Sequence, residues 1–250
     1  MGLVAEAAVA AVQMLTRIPV PSPPRAPDER TLALSAVFYP WVGMALGAVG
    51  LMAFQALAAD GDAGFAAVAA LALWALATGA LHEDGLADVA DAFGSQRDKE
   101  GLLRVMKDSR IGAYGALALL LATLARWTLL TELARGGAAL GFLASQSLAR
   151  GGIVLLAVWA GPATEGSGGA LARSAKAWHA LAALAAPTLL LLGMAPAPEV
   201  LACLVASLAM VAGAAVYFRA RLGGVTGDCL GAAFLAQEIA ILWTVRAVTQ

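Results

Sequence analysis

Charge is what this sequence is shortest of. Only 13% of its 250 residues are Asp, Glu, Lys or Arg, against 61% hydrophobic, and mean hydropathy is +0.80. Soluble domains carry about a quarter charged residues, so the scarcity excludes an ordinary water-soluble globule and points to a membrane. A net charge of −1 supplies no basic surface, which removes nucleic acid as a partner. Cysteine is equally scarce. Cys203 and Cys229 are the only two, and the topology argued below sends them to opposite faces of the membrane, far beyond the ~7 Å Cα separation a disulfide tolerates. Neither a disulfide nor a cysteine metal site is expected. The first fifteen residues lack the basic start of a signal peptide and include Glu6. As a helix they reach only about 20 Å, so they read as a short interfacial helix. No internal repeat or low-complexity linker divides the chain, which reads as a single integral membrane domain, 1–250.

What is there is apolar length. Stretches near 34–58, 64–91, 112–134, 138–162, 177–194, 197–218 and 227–249 are bounded by Gly, Pro or charge clusters, and about 20 apolar residues suffice to span a bilayer. The expected fold is therefore all-α, a polytopic transmembrane helical bundle of about seven spans, six to eight. Loops cut this way alternate in charge. Arg17, Arg25 and Arg30, then Arg97, Lys99, Arg104, Lys107 and Arg110, then Arg173 and Lys176, then Arg219 and Arg221 fall on one side, and Arg135 and Arg246 on the other. Basic loops stay in the cytoplasm, so the N-terminus and the 92–111 loop are expected inside and the C-terminus outside. Gly43 and Gly47 have the small-residue spacing that lets membrane helices approach closely.

The second stretch runs directly into His82-Glu83-Asp84-Gly85-Leu86-Ala87-Asp88-Val89-Ala90-Asp91, with no Lys or Arg among them. At 100° per residue, Asp84, Asp88 and Asp91 share one helix face within about 60°. Like charges on one face repel, and Mg²⁺ bound by carboxylates and substrate phosphate oxygens would offset that repulsion. A plain solvated helix end is the alternative, but ionisable clusters beside a membrane usually mark function. Glu83 points elsewhere on the helix. His82 suits either a structural hydrogen bond or proton transfer.

Two later junctions fall on the same side. In Lys107-Asp108-Ser109-Arg110-Ile111-Gly112, Asp108 can cap a helix or join the metal, Lys107 and Arg110 bring positive charge, and free N–H groups at Gly112 can hold phosphate oxygens. In Gly223-Gly224-Val225-Thr226-Gly227-Asp228, glycines before a helix start suit close approach to an anion, and Asp228 is either another ligand or an N-cap. Arg150 and Glu238 lie in mid-span, where charge is costly. They either pair with each other, or Arg150 lines a substrate cavity. Carboxylates, bases and helix N-termini on one face are the parts of phosphoryl transfer.

At these residues the chain resembles the cobalamin synthase, or adenosylcobinamide-GDP ribazoletransferase, family over nearly its whole length. Thr16-Arg17-Ile18-Pro19-Val20-Pro21 is similar to its N-terminal motif and Phe38-Tyr39-Pro40-Trp41-Val42-Gly43 to its entry into the first span. His82, Asp84, Gly85, Asp88 and Asp91 match its H-x-D-G-x-x-D-x-x-D signature, Lys107 to Gly112 its K-D-S-R-x-G segment, Arg150 its mid-chain arginine context, and Gly223 to Asp228 its G-G-x-T-G-D motif. Glu83, where an apolar residue is usual, and Ala92, where glycine is common, depart from the pattern.

The resemblance implies a Mg²⁺-dependent transferase of the prokaryotic cytoplasmic (inner) membrane. It joins α-ribazole, or its 5′-phosphate, to adenosylcobinamide-GDP with release of GMP, the last stage of cobalamin nucleotide-loop assembly. It casts Asp84, Asp88, Asp91 and His82 as catalytic, and Asp84, Asp88, Asp91, Asp108 and Asp228 as metal ligands. Arg17, Lys107, Ser109, Arg110, Gly112, Arg150, Gly224 and Thr226 are cast as substrate-binding. Self-association and association with other cobalamin-assembly enzymes stay open as alternatives. A CDP-alcohol phosphotransferase is the nearest competing enzyme, but its Ala-Arg after the D-G-x-x unit is replaced here by Asp88-Val89. A transporter would carry its charges at the bilayer midplane rather than at helix ends.

Overall fold

The computed structural model describes residues 2–21, 26–59, 61–95 and 97–250. Arg25, counted above among the basic residues, lies outside them. The elements are α1 (Leu3–Leu15), α2 (Glu29–Ser35), α3 (Tyr39–Ala58), α4 (Ala63–Thr78), α5 (Leu81–Gly94), α6 (Lys99–Val105), α7 (Ala113–Glu132), α8 (Ala138–Ala160), α9 (Ser167–Ser174), α10 (Ala177–Leu192), α11 (Ala197–Leu222) and α12 (Gly227–Thr249). Among the described residues there is no strand, only one isolated bridge between Pro162 and Val225. The chain is a polytopic helical bundle.

Five helical stretches, 29–58, 113–135, 138–160, 197–222 and 227–249, are long and apolar enough to cross a membrane. Two bent pairs, α4 with α5 at 88° and α9 with α10 at 99°, raise the number to as many as seven if each pair is counted as one span. The sequence reads 64–91 as one continuous stretch, and here the structure differs. Gly79 (φ 68°) and Ala80 (φ 57°) are both left-handed, Ala80 being the only described non-glycine residue with positive φ. A left-handed alanine costs roughly 1–2 kcal/mol, and two such residues in succession turn the chain sharply. The acidic decade thus leaves the span as a separate helix with its own direction.

α8 forms the centre of the bundle, with 89% of its span buried, whereas α7 and α11 are only 28% buried. Leu117, Leu120, Leu121 and Leu124 on α7 are exposed. A run of this kind is an unusual patch in water and an ordinary face toward lipid. Gly43 and Gly47 lie directly against the α8 backbone at Gln146 and Phe142, leaving no room for a side chain, which is the close packing their spacing predicts.

The loops gather at two ends. At one, Val225 N–H donates to the Gly161 carbonyl (2.8 Å) and Ala163 N–H to the Val225 carbonyl (3.0 Å), clasping the 161–163 and 223–225 turns together. At the other, Arg246 pairs with Glu132 and Gln250 Nε2 donates to the Glu132 carbonyl (2.9 Å). Cys203 and Cys229 are both buried and unpaired.

Candidate active site at the α5–α12 crossing

α5 meets α12 through glycine. A Cβ on Gly85 would lie 2.8 Å from the Asp228 carbonyl oxygen and 3.0 Å from its Cα, and one on Gly231 would lie 3.3 Å from the His82 Cα. Only the missing side chains let the two backbones come this close. The consequence is electrostatic, because Asp88 is placed within the field of Asp84, Asp91 and Asp228, and Asp228 within that of Asp84. The sequence left Asp228 as ligand or cap, and the structure gives the cap to Thr226. Its Oγ1 accepts the Cys229 N–H at 3.2 Å, so the Asp228 carboxylate stays with the acidic group.

Asp91 has a different job. Its two oxygens accept the Gly112 N–H (2.7 Å) and the Gly115 N–H (2.8 Å), capping α7 from another helix and satisfying donors its first turn leaves unpaired. The Gly112 N–H, expected to be free for a phosphate, is therefore already engaged. Asp108 also departs from expectation. Its carboxylate accepts from Arg110 Nε at 2.9 Å, and this guanidinium holds the carboxyl down at about 2. Asp108 belongs to the exposed 107–112 turn and is not among the charges acting on Asp88 or Asp228.

One residue before Asp84, Glu83 turns inward. It accepts from Arg126 Nη1 at 2.8 Å, and Arg126 Nε lies 3.1 Å from Glu238. Glu238 accepts from Gln146 Nε2 at 2.9 Å, and Gln146 Oε1 accepts from Arg150 Nη1 at 2.8 Å. The Arg150 guanidinium sits 4.6 Å over the Phe234 ring, whose other stacking partner is His82 at 3.8 Å. The expected Arg150–Glu238 pair is thus replaced by a chain with Gln146 between them. Arg150 is 1% exposed and lines neither cavity at the site. Arg126, 4% exposed, escaped the sequence reading. Its signal was a lone arginine in an otherwise apolar run from Ala116 to Leu130, a placement that demands a buried partner.

Two cavities flank Asp228 and share Ser167 and Gly227. One, about 340 Å³, is lined by Lys107, Thr164, Glu165 and Thr226. The other, about 260 Å³, is lined by Asp84, His82 and a mostly apolar wall. Of the expected substrate ligands, Lys107 and Thr226 therefore stand at the site, Thr226 as a buried cap. Ser109 and Arg110 are exposed on the turn. Gly224 is packed against Gly161 and Pro162. Arg17 donates its backbone N–H to the Ala77 carbonyl (2.7 Å) and lays its side chain over Gly79, at the break before α5.

Among the described residues, no three carboxylate, imidazole or thiolate groups converge tightly enough to hold a metal ion by themselves. Nor does any described Lys or Arg form an ion pair with Asp84, Asp88, Asp91 or Asp228. An all-oxygen acidic set without a cation fits Mg²⁺, which is commonly held by one or two carboxylates plus substrate phosphates rather than by a full protein cage. Asp84, Asp88 and Asp228 are the members with carboxylates not engaged by a backbone cap.

Fold and site together define a polytopic helical membrane protein that gathers carboxylates beside a cavity containing Lys107 at one end of its bundle. The cobalamin-5-phosphate synthase family profile matches residues 7–246, and the chain belongs to that family. It is 39% identical to the adenosylcobinamide-GDP ribazoletransferase of Ralstonia nicotianae, over 96% of this chain and 94% of that one. It is 38% identical to the enzyme of the same name from a Sinorhizobium species, over 92% of each, and 33% identical to that of Citrobacter koseri, over 93% and 96%. No solved structure matches.

Proposed function

We propose that this chain is the adenosylcobinamide-GDP ribazoletransferase of an inner membrane, working with Mg²⁺ at the cytoplasmic end of the bundle. The observation that carries the mechanism is the α5–α12 crossing, where Asp84, Asp88 and Asp228 stand together without a cation beside a cavity that contains Lys107. The 3′-oxygen of α-ribazole, or of its 5′-phosphate, forms a bond to the cobinamide-side phosphorus. The bond from that phosphorus to the bridging oxygen breaks, and GMP departs with those electrons. Asp88 and Asp228 would hold Mg²⁺ together with the substrate's phosphate oxygens, and the ion would neutralise charge on the diphosphate and the leaving group. Lys107 attracts phosphate oxygens into the cavity it lines. Asp84, exposed at the mouth of the other cavity, is placed to take the hydroxyl proton, since a base must reach the group it deprotonates. The orientation follows from the basic loops gathered at this end.

The test is purified protein in liposomes with adenosylcobinamide-GDP and α-ribazole, with Mg²⁺ or chelator, following GMP release. Release that depends on the divalent ion and falls by about 10²-fold or more in Asp84→Asn supports the reading. No GMP release under any metal condition ends it.

A further inference from the structure

The two cavities that meet at Asp228 differ in their charged side chains. One carries Lys107 and Glu165 with Thr164, Thr226, Leu103 and Met106. The other is walled by Met14, Leu15, Tyr39, Ile153, Leu171 and Leu230, with Asp84 and Asp228 as its charged members. Only the first offers a diphosphate a cation, Lys107, beside its carboxylates Glu165 and Asp228; the second has two carboxylates and no cation. An aromatic base suits the second, because burying apolar surface is favourable at roughly 25 cal/mol per Å². We propose that the apolar cavity is the subsite for the aromatic base of the acceptor nucleoside, with its ribose held at the Asp84–Asp228 rim.

Size supports this division. A volume of about 260 Å³ corresponds to roughly nine water molecules at ~30 Å³ each. That holds a flat bicyclic base and cannot enclose a tetrapyrrole-sized macrocycle, since even drug-sized ligands take about 300–1,000 Å³. The guanine and adenine of adenosylcobinamide-GDP are bicyclic as well, but in-line displacement sets the departing GMP opposite the attacking hydroxyl, so the base beside Asp84, the group placed to take that hydroxyl's proton, is the acceptor's. The wall also carries polar groups that suit a heteroaromatic ring rather than an alkyl chain. His82, 4% exposed, lines the cavity, and its Nε2 has no hydrogen-bond partner among the described residues. The buried Tyr39 hydroxyl donates to the weak thioether acceptor Met14 Sδ at 3.3 Å. With the base seated here, the sugar reaches the carboxylates, and the Lys107 cavity sharing Ser167, Gly227 and Asp228 receives the diphosphate on the far side of Asp228.

The inference rests on the ribazole-transfer reading, and its test separates the two. In liposomes, Met14→Trp, which fills the cavity from α1, is expected to raise KM for α-ribazole by about tenfold or more. KM for adenosylcobinamide-GDP is expected to stay within about twofold. Wild-type protein irradiated with an azido-substituted benzimidazole α-riboside, which needs no variant to fold, is expected to be labelled on peptides containing Met14, Tyr39 or Ile153. Excess α-ribazole should suppress the label. Wild-type turnover with the label on the Lys107 or Thr164 peptides, or with no label, or with KM for α-ribazole unmoved in a folded Met14→Trp protein, overturns the subsite alone. Absence of transfer by the wild type overturns the activity itself.

Discussion

Replacing Arg126 with methionine removes the single cation between Glu83 and Glu238. The guanidinium contacts one at 2.8 Å and the other at 3.1 Å, so without it the two carboxylates have no cation between them in a site where Glu238 is fully buried. At an effective dielectric of about 20, two like charges ~5 Å apart repel by about 3 kcal/mol. Removing one partner of a buried ion pair generally costs about 3–5 kcal/mol. Arg126→Met should therefore lose about that much stability against SDS added to detergent micelles, followed by tryptophan fluorescence. The triple variant Arg126→Met, Glu83→Gln, Glu238→Gln should recover to within about 1–2 kcal/mol of wild type. It leaves no unpaired charge, and Gln146 keeps an amide oxygen to donate to. Arg126→Lys should fall between, because a single ammonium does not span both carboxylates as the guanidinium fork does. An Arg126→Met protein as stable as wild type, or a triple variant no better than the single, would refute the claim that this network holds α5 to α12.

Three further outcomes follow from the site. Asp91→Ala should cost about 0.5–2 kcal/mol of unfolding free energy, the usual loss for a helix N-cap, while the Mg²⁺ concentration for half-maximal turnover stays within about twofold of wild type. A large shift in that midpoint would return Asp91 to the metal set. Gly85→Ala pushes a methyl into the Asp228 backbone and should lower kcat by about 10²-fold, since misplacing a catalytic group by an ångström has that effect; wild-type kcat would show the close approach to be dispensable. Glu83→Gln and Asp84→Asn, one residue apart, should respond in opposite ways. The first lowers stability by unbalancing Arg126, and the second leaves it unchanged or raised by relieving repulsion while turnover is lost. Parallel behaviour of the pair would contradict the inward and outward roles assigned to them.

The apolar stretches were legible because crossing hydrocarbon demands length and hydropathy, and both are written locally. The break at Gly79 and Ala80 was not, since neither residue interrupts the hydropathy and the turn depends on backbone dihedrals. Helical periodicity placed Asp84, Asp88 and Asp91 on one face, but it could not say that Asp91 would be taken by Gly112 and Gly115, two glycines that share the site only through the fold. Asp228 was ambiguous for a simple reason, because Thr226 two residues earlier is an equally good cap and the pattern alone does not choose. Arg150 and Glu238 were visible as charges in need of partners. Gln146, one turn before Arg150, and Arg126 on α7 were the partners, and only the second lay beyond local spacing.

The division between Glu83 and Asp84 explains why one helix turn can both anchor and present charge. Inside the bundle, Glu83 and Glu238 are matched by Arg126 and Arg150, so the formal charges sum to zero and the low-dielectric interior is not asked to hold a net ion. At the end of the bundle, Asp84, Asp88 and Asp228 have no such match. They are kept close by Gly85 and by a network whose own charges are already satisfied. Had the interior arginines reached these aspartates, the cluster would be a structural salt bridge with no capacity left for a cation or a phosphate. Because Glu83 turns inward to Arg126 and Asp84, about 100° further round the same helix turn, faces outward, the negative charge at the end of the bundle is left without an ion pair among the described residues, as the proposed divalent-ion site requires.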